Sequence, residues 1–338
     1  MKAEIKKAAA VLGYRLGLTQ SIVPLGDTWK SIKGRGSFTV LIYHRVNDNG
    51  NPFEIDVVST SVFEEQMRYL AKYFNVLAVD EVVEIVKSGG RLPERCVSVT
   101  FDDGYEDNFT CAFPVLRKYG LPATVFLTAG CIDRRESLWF DRVLYVFKNT
   151  SRSEAYLPYI GMRLPLGDCS IRVRSAIRVL YALMALPGQE RLFQVDELFS
   201  YLGVERPSSI PDHLLTWEQI REMAEYRISS GSHTLTHPIL SRITSDQAGK
   251  ELIESKRLIE ARTGHRVRVF AYPNGKPSDY SAETMDLLKN AGYTAALTTT
   301  PGVNFDSTGL YHLRRMRPWC PDIPSFALSL SCYNFLTK

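Results

Sequence analysis

This chain of 338 residues has almost no net charge, no paired cysteine motif and no long apolar run. The 41 Lys and Arg against 37 Asp and Glu leave a charge of +4. That is too small to supply the dense basic surface of a nucleic-acid binder, so no nucleic-acid partner is expected. Six cysteines are scattered at positions 96, 111, 131, 169, 320 and 332. None forms a Cys-x-x-Cys pair, which argues against a cysteine zinc site. Their spacing reads as free thiols in a reducing compartment, although an even count leaves disulfides open. No stretch reaches the roughly 18 apolar residues of a spanning helix. The apolar run Ala8 to Leu12, behind Lys2, Lys6 and Lys7, is also too short for a secretion signal. The expected location is cytoplasmic or peripheral to a membrane. Ile5, Ala9, Leu12 and Leu16 share one helical face in an N-terminal arm (1–37). That arm reads either as a helix packed on the domain or as a weak membrane-surface association. There is neither an internal repeat nor a low-complexity linker.

What is present is an alternation of short β-rich runs and amphipathic helical stretches. Strands are expected at Phe38–Tyr43, Val76–Val79, Val97–Phe101, Ala123–Thr128, Ile228–Ser232, Val267–Ala271 and Tyr293–Thr298, with Leu313–Met316 as a candidate last strand. Helix starts are expected at a Ser61/Glu64 capping box, at Asp80, at a Thr216/Gln219 capping box, at Ser245 and at Ser281. Pro114 restricts where the helix bearing Phe109, Ala112, Phe113 and Leu116 becomes regular. Gly120, Gly264 and Gly292 read as helix stops. The rhythm breaks at about 131–212, an arginine-rich, mostly helical insertion into one α/β domain (38–338).

Two motifs fall where strands should end. Thr100-Phe101-Asp102-Asp103-Gly104-Tyr105 places adjacent carboxylates before a turn glycine, and neighbouring side chains on extended chain point to opposite sides. One carboxylate is then free to bind a metal while the other handles water or substrate; a turn-and-cap pair is the other reading. Ser232-His233-Thr234-Leu235-Thr236-His237-Pro238 sets two imidazoles four residues apart in a loop context. Two His and one Asp form a frequent open site for a divalent ion.

Together these motifs resemble the polysaccharide deacetylases, the NodB-homology domains of carbohydrate esterase family 4. The resemblance runs from about Phe38 to Arg317, outside the insertion. It implies a distorted, incomplete (β/α) barrel, which alternation alone does not separate from a doubly wound sheet. It implies that Asp103, His233 and His237 hold a divalent metal, expected to be zinc, with cobalt or nickel as alternatives. It implies Asp102 as general base. The implied activity is removal of N-acetyl groups from N-acetylated sugars of a polysaccharide or a lipid-linked glycan precursor. The other readings are a deacylase of another N-acyl or O-acyl sugar, and a catalytically silent carbohydrate-binding domain.

The third family motif departs from its usual Arg-x-Pro-x-Gly form. Here it is Ala271-Tyr272-Pro273-Asn274-Gly275, with no arginine to hold the base. Arg315 is a candidate substitute, or else a surface charge in the run Arg314-Arg315-Met316-Arg317. The backbone N–H of Asn274 resembles the family's oxyanion donor, and a plain Pro-Asn-Gly turn is the alternative. Tyr105, Trp139 and Tyr272 are either sugar-stacking rings or core. For the general acid, a permuted subgroup resembling poly-N-acetylglucosamine deacetylases carries an early Tyr-His like Tyr43-His44. His44 is therefore the expected acid, His312 the alternative, and a hydrogen-bonded core histidine the remaining reading.

Overall fold

The computed structural model describes residues 36–207, 213–320 and 322–336. The N-terminal helical face lies outside these residues. Among the described residues, the strands and helices that precede the insertion are β1 (Ser37–Tyr43), β2 (Arg45–Val46), β3 (Val57–Val58), α1 (Thr60–Tyr73), β4 (Asn75–Val76), α2 (Val79–Lys87), β5 (Cys96–Phe101), α3 (Phe113–Tyr119) and β6 (Ala123–Leu127). Next come α4 (Ala129–Arg134), α5 (Trp139–Asn149), the hairpin β7 (Glu154–Leu157) with β8 (Met162–Pro165), α6 (Cys169–Met184) and α7 (Gly188–Leu202). The alternation resumes with α8 (Trp217–Ala224), β9 (Ile228–Ser232), α9 (Ser245–Thr263), β10 (Val269–Ala271), α10 (Ala282–Asn290), β11 (Ala295–Leu297), β12 (Asn304–Phe305) and α11 (Ile323–Leu336).

The main sheet runs β11-β10-β9-β6-β5-β1-β12, and β4 adds to β5. Its pairings are parallel except that of β1 with β12. The candidate strand 313–316 forms single parallel bridges, Leu297 to Leu313 and Leu41 to Met316. Those bridges span β11 and β1 and bring the curled sheet round toward closure. β1, β5 and β6 are buried on both faces, and so read as continuous apolar and small-residue runs. One face gathers Phe38, Val40, Cys96, Phe126, Val269, Leu297 and Leu313; the other packs Leu41, Val97, Val99 and Val125 against helices. The expected barrel of NodB type is what forms.

Several element boundaries differ from the sequence reading. Ser59, not Ser61, caps α1 by accepting from the Val62 N–H. Glu64 bonds Lys118 and Tyr119 instead. Ala78 precedes α2, with Glu81 accepting from its N–H, and Asp80 accepts from Ser229. α9 starts at Ser245 as expected, with Thr244 before it as the cap through a box with Gln247. The Thr216/Gln219 box and the Ser281 cap form as expected. Regular helix begins only at Phe113, beside Pro114, after a π-type turn over Asn108–Ala112. The insertion is not wholly helical: the β7–β8 hairpin pairs Glu154 with Pro165 through Leu157 with Met162. It packs its own apolar cluster, including Val143, Phe147, Leu157, Leu164, Val179 and Leu198.

Cys96, Cys111, Cys131, Cys169 and Cys320 are free. Burial pushes the Cys96 and Cys131 thiols up to about 12, which makes both unreactive packing groups.

Gly231 in β9 allows the sheet to pack tightly here. A Cβ there would come within 2.4 Å of the Phe126 ring and 3.1 Å of the Val269 carbonyl oxygen. Gly231→Ala should therefore cost about 1–3 kcal/mol of stability through overpacking. A denaturation midpoint equal to that of the unchanged protein would contradict this.

Candidate active site

The functional side chains converge at the carboxyl ends of the strands, where loops of an α/β barrel collect. β5 delivers Asp102 and Asp103, β9 delivers His233, and the loop after it delivers His237. β1 delivers His44, and the closing segment 313–316 delivers Arg315. All but Arg315, which lies behind Asp102, border a cavity of about 320 Å³ lined in part by His44, Asp102, Asp103, Tyr105, Trp139, His233, His237 and Asn274.

Asp103, His233 and His237 each offer one ligand atom, and these atoms lie within 4.8 Å of one another. Both His Nε2 atoms face Asp103 Oδ1, at 3.5 Å from His233 and 3.4 Å from His237. His233 Nδ1 lies 2.7 Å from the Ala271 carbonyl oxygen. Donation there fixes the tautomer and leaves the Nε2 lone pair facing inward. Burial pushes His233 down to about 4, and burial with the neighbouring His233 holds His237 well below its ordinary value. Both imidazoles are thus neutral at pH 7, the form that binds a metal. Burial, followed by the Asp102 charge, holds Asp103 well above the usual carboxylate range. Its Oδ1 is buried without a hydrogen bond. A divalent cation is the group that satisfies such a carboxylate beside two neutral imidazoles, so the three residues fit a metal.

The backbone is committed to this arrangement. Asp103, Thr234, His237 and Asn274 all have positive φ, at 73°, 70°, 56° and 58°, a conformation costly for non-glycine residues and concentrated at functional sites. Glu251 on α9 offsets the cost. Its carboxylate accepts from the Leu235 and Thr236 N–H groups and from the Thr236 hydroxyl, pinning the loop between the two histidines.

Asp102 is held differently. Arg315 makes a fork, Nη1 to Oδ1 at 2.7 Å and Nη2 to Oδ2 at 2.8 Å, while its Nε donates to the Thr298 carbonyl at 2.8 Å. The side chains of Arg315 and Asp102 are 0% and 2% exposed. Burial alone would raise the Asp102 pKa, but Arg315 outweighs it and holds the carboxylate well below its ordinary value. Arg315 is therefore a buried partner of Asp102 and not a surface charge.

His44 borders the cavity with its side chain 18% exposed. Its ring Nδ1 has no hydrogen bond and sits 3.8 Å from Asp56 Oδ2. Burial lowers its pKa, partly opposed by Asp102 and Asp56. Asn108 Nδ2 donates to its carbonyl, and Asp107 gathers Arg45, Asn47 and the Val46 N–H beneath it. His312, by contrast, is exposed on a 3-10 turn against Tyr280 and is not among the cavity-lining residues.

Tyr105 and Trp139 border the cavity, but Tyr272 does not. Tyr272 is fully buried, stacks on Tyr280 with ring centroids 3.9 Å apart, and donates to the Tyr311 carbonyl. It continues the outward-facing side of β10 with Phe270, so it belongs to the core and is not a sugar platform. Asn274 lines the cavity, and its side-chain Nδ2 is buried without a partner. Three contributors carried no sequence signal: Glu251, one of several helix-surface glutamates; Asp107; and Asp141. Asp141 accepts from the Tyr105 hydroxyl, and burial, against the pull of Arg45, raises it to about 7. A buried carboxylate network across the chain has no local sequence pattern.

Residues 89–296 match the family model described as polysaccharide deacetylase. A Bacillus subtilis strain 168 protein, YxkH, classed as a polysaccharide deacetylase, is 25% identical over 292 residues, 86% of this chain and 75% of that protein. The poly-β-1,6-N-acetyl-D-glucosamine N-deacetylase of Escherichia coli K12 is 32% identical over 97 residues, which is 28% of this chain but only 14% of that protein. Among solved structures, the Streptococcus pyogenes deacetylase PplD in complex with acetate superposes with a TM-score of 0.60 at 18% identity, covering 88% of this chain and 99% of that one. IcaB from Ammonifex degensii gives a TM-score of 0.57 at 19% identity over 88% and 97%. At such identity these two establish the fold.

The Asp102–Arg315 pair yields a stability prediction. Asp102 has a folded pKa below its unfolded value, so its contribution is present above the ordinary carboxylate range and is lost as pH falls toward the folded pKa. Arg315→Met should cost about 3–5 kcal/mol at neutral pH, because it strands a buried charge. Adding Asp102→Asn should recover part of that loss. A single variant as stable as the unchanged protein would show that the pair is not needed to compensate the charge.

The aspartate and histidine motifs, the half-barrel that carries them and the match over residues 89–296 agree: this chain belongs to the polysaccharide deacetylase family, whose members are metal-dependent enzymes that act as N-deacetylases.

Proposed function

We propose that this protein is a zinc-dependent N-deacetylase of N-acetylated hexosamine units in a glycan. The observation that carries the reading is the convergence of a neutral-histidine, buried-aspartate triad and an arginine-held carboxylate on one cavity. The N-acetylglucosamine-based substrate named for the Escherichia coli relative supports the sugar class.

Asp103, His233 and His237 would hold the metal, which when bound polarises the acyl oxygen and lowers the pKa of water. Asp102, kept ionised and oriented by Arg315, accepts the proton of the attacking water. His44 delivers a proton to the departing amine, which is too poor a leaving group as an anion. Its place after β1, on the same cavity as the triad, supports this assignment. It also fits the circularly permuted arrangement, in which the acid histidine comes early. The Asn274 N–H is the proposed donor to the oxygen that gains negative charge. Tyr105 and Trp139 shape the wall against which the sugar sits.

Asp102→Asn should lower acetate release from N-acetylated oligosaccharides by about 10²–10⁴-fold with zinc content unchanged. His44→Ala should lower it strongly, and His312→Ala should not. Replacing Asp103, His233 and His237 with Ala together should abolish stoichiometric zinc. The assignment fails if zinc persists in that variant, or if His312 rather than His44 proves necessary.

A further inference from the structure

The cavity has two unlike sides. The strand ends and the loops around them supply polar lining, His44, Asp102, Asn274 and Thr299 together with the charged Asp56, Lys276 and Arg317. The lining from α6 of the insertion is apolar: Ile177, Leu180, Tyr181 and Met184. These positions fall at i, i+3, i+4 and i+7, one continuous helical stripe. Ala176, Val179, Leu180 and Leu183 anchor α6 to the insertion core and Met184 packs against it, whereas Ile177 and Tyr181 belong to neither set. The helix thus presents two large apolar side chains, Ile177 and Tyr181, that its own packing does not require. On that face Ile177 remains 37% and Tyr181 64% exposed, and Ile55 across the mouth is 38% exposed.

The aliphatic part of that wall, Ile177, Leu180 and Met184, is poorly suited to further sugars. Hydroxyls pressed against aliphatic side chains lose water and gain no partner, at a cost per group that a polysaccharide would incur repeatedly. A hydrocarbon chain loses nothing there and gains from leaving water. The cavity, at about 320 Å³, is at the small end of ligand sites, enough for a terminal sugar and its linkage rather than a run of saccharide. Resting on the N-deacetylase reading, we propose that the substrate is an N-acetylated sugar carried at the end of a lipid-like aglycone, with the Ile177–Tyr181 face of α6 as the surface on which the hydrocarbon lies.

The test compares octyl and methyl glycosides of N-acetylglucosamine and a chitin-type oligosaccharide, by calorimetric binding to the zinc-loaded protein and by acetate release. The octyl glycoside should bind at least about tenfold more tightly than the methyl glycoside and show a correspondingly lower KM. The double variant Ile177→Ser, Tyr181→Ser should erase that advantage while leaving the methyl glycoside's kcat intact. Tyr156→Ser, exposed on β7 away from the cavity, should keep the advantage and so controls for non-specific binding of the chain. Equal affinity for octyl and methyl glycosides, or an advantage that survives the double variant, overturns the inference and leaves the deacetylase reading standing. An octyl advantage in binding that the double variant removes, with no acetate released from any substrate, supports the apolar subsite and sinks the deacetylase reading.

Discussion

Two adjacent carboxylates buried at the end of one strand set the terms for the rest of this structure. Asp102 and Asp103 are 2% and 3% exposed, and two like charges so close in a low-dielectric site cannot both be ionised without separate compensation. The fold answers each in its own way. Arg315, brought in by the segment that bridges β11 and β1, forks onto Asp102 and keeps it ionised. Asp103 is given no side-chain cation but two imidazoles held neutral by burial, a set that a divalent ion completes. The same strand end thus offers one carboxylate held ionised by arginine and one facing two imidazoles, because alternation along extended chain turns their side chains to different partners.

That division ties remote parts of the chain together. Arg315 reaches Asp102 only because the 313–316 segment hydrogen-bonds to both β1 and β11, through Met316 to Val40 and Leu313 to Ala296. The left-handed residues around the triad persist because neighbours over-determine them. Glu251 holds the histidine loop, and the Trp139 indole donates to the His237 carbonyl. Trp139 also belongs to the insertion's apolar cluster, so the insertion supports the loop that carries His237 as well as walling the cavity.

The two long motifs made Asp102, Asp103, His233 and His237 legible, because their chemistry is local in sequence and each ends a strand. His44 lies in neither motif; it was named from its place after a strand and from the resemblance of Tyr43-His44, and it does border the cavity. Arg315 could be named only as a candidate, since nothing in the run 314–317 marks which arginine points inward; the bridge register decides it. Tyr272 misled because an aromatic beside a motif looks like a sugar platform, whereas strand alternation sends it to the core. The β7–β8 hairpin was missed because Glu154-Ala155-Tyr156-Leu157 is short and is itself made mostly of residues that favour helix. The cap of α1 slipped by two residues because Ser59, Thr60 and Ser61 compete for the same turn, and that of α2 because Ala78 carries no capping side chain to mark it.

The central claim is that one metal held by Asp103, His233 and His237 makes the Asp102 side of the cavity a site of amide hydrolysis. The most direct measurement strips the full-length protein with a chelator, then titrates zinc back while following acetate release from a β-1,6-linked N-acetylglucosamine oligomer and from the octyl glycoside. The account predicts no release from the stripped protein and a linear rise that saturates at one zinc per chain. Release that is indifferent to chelation, or none on any substrate at full loading, would contradict it.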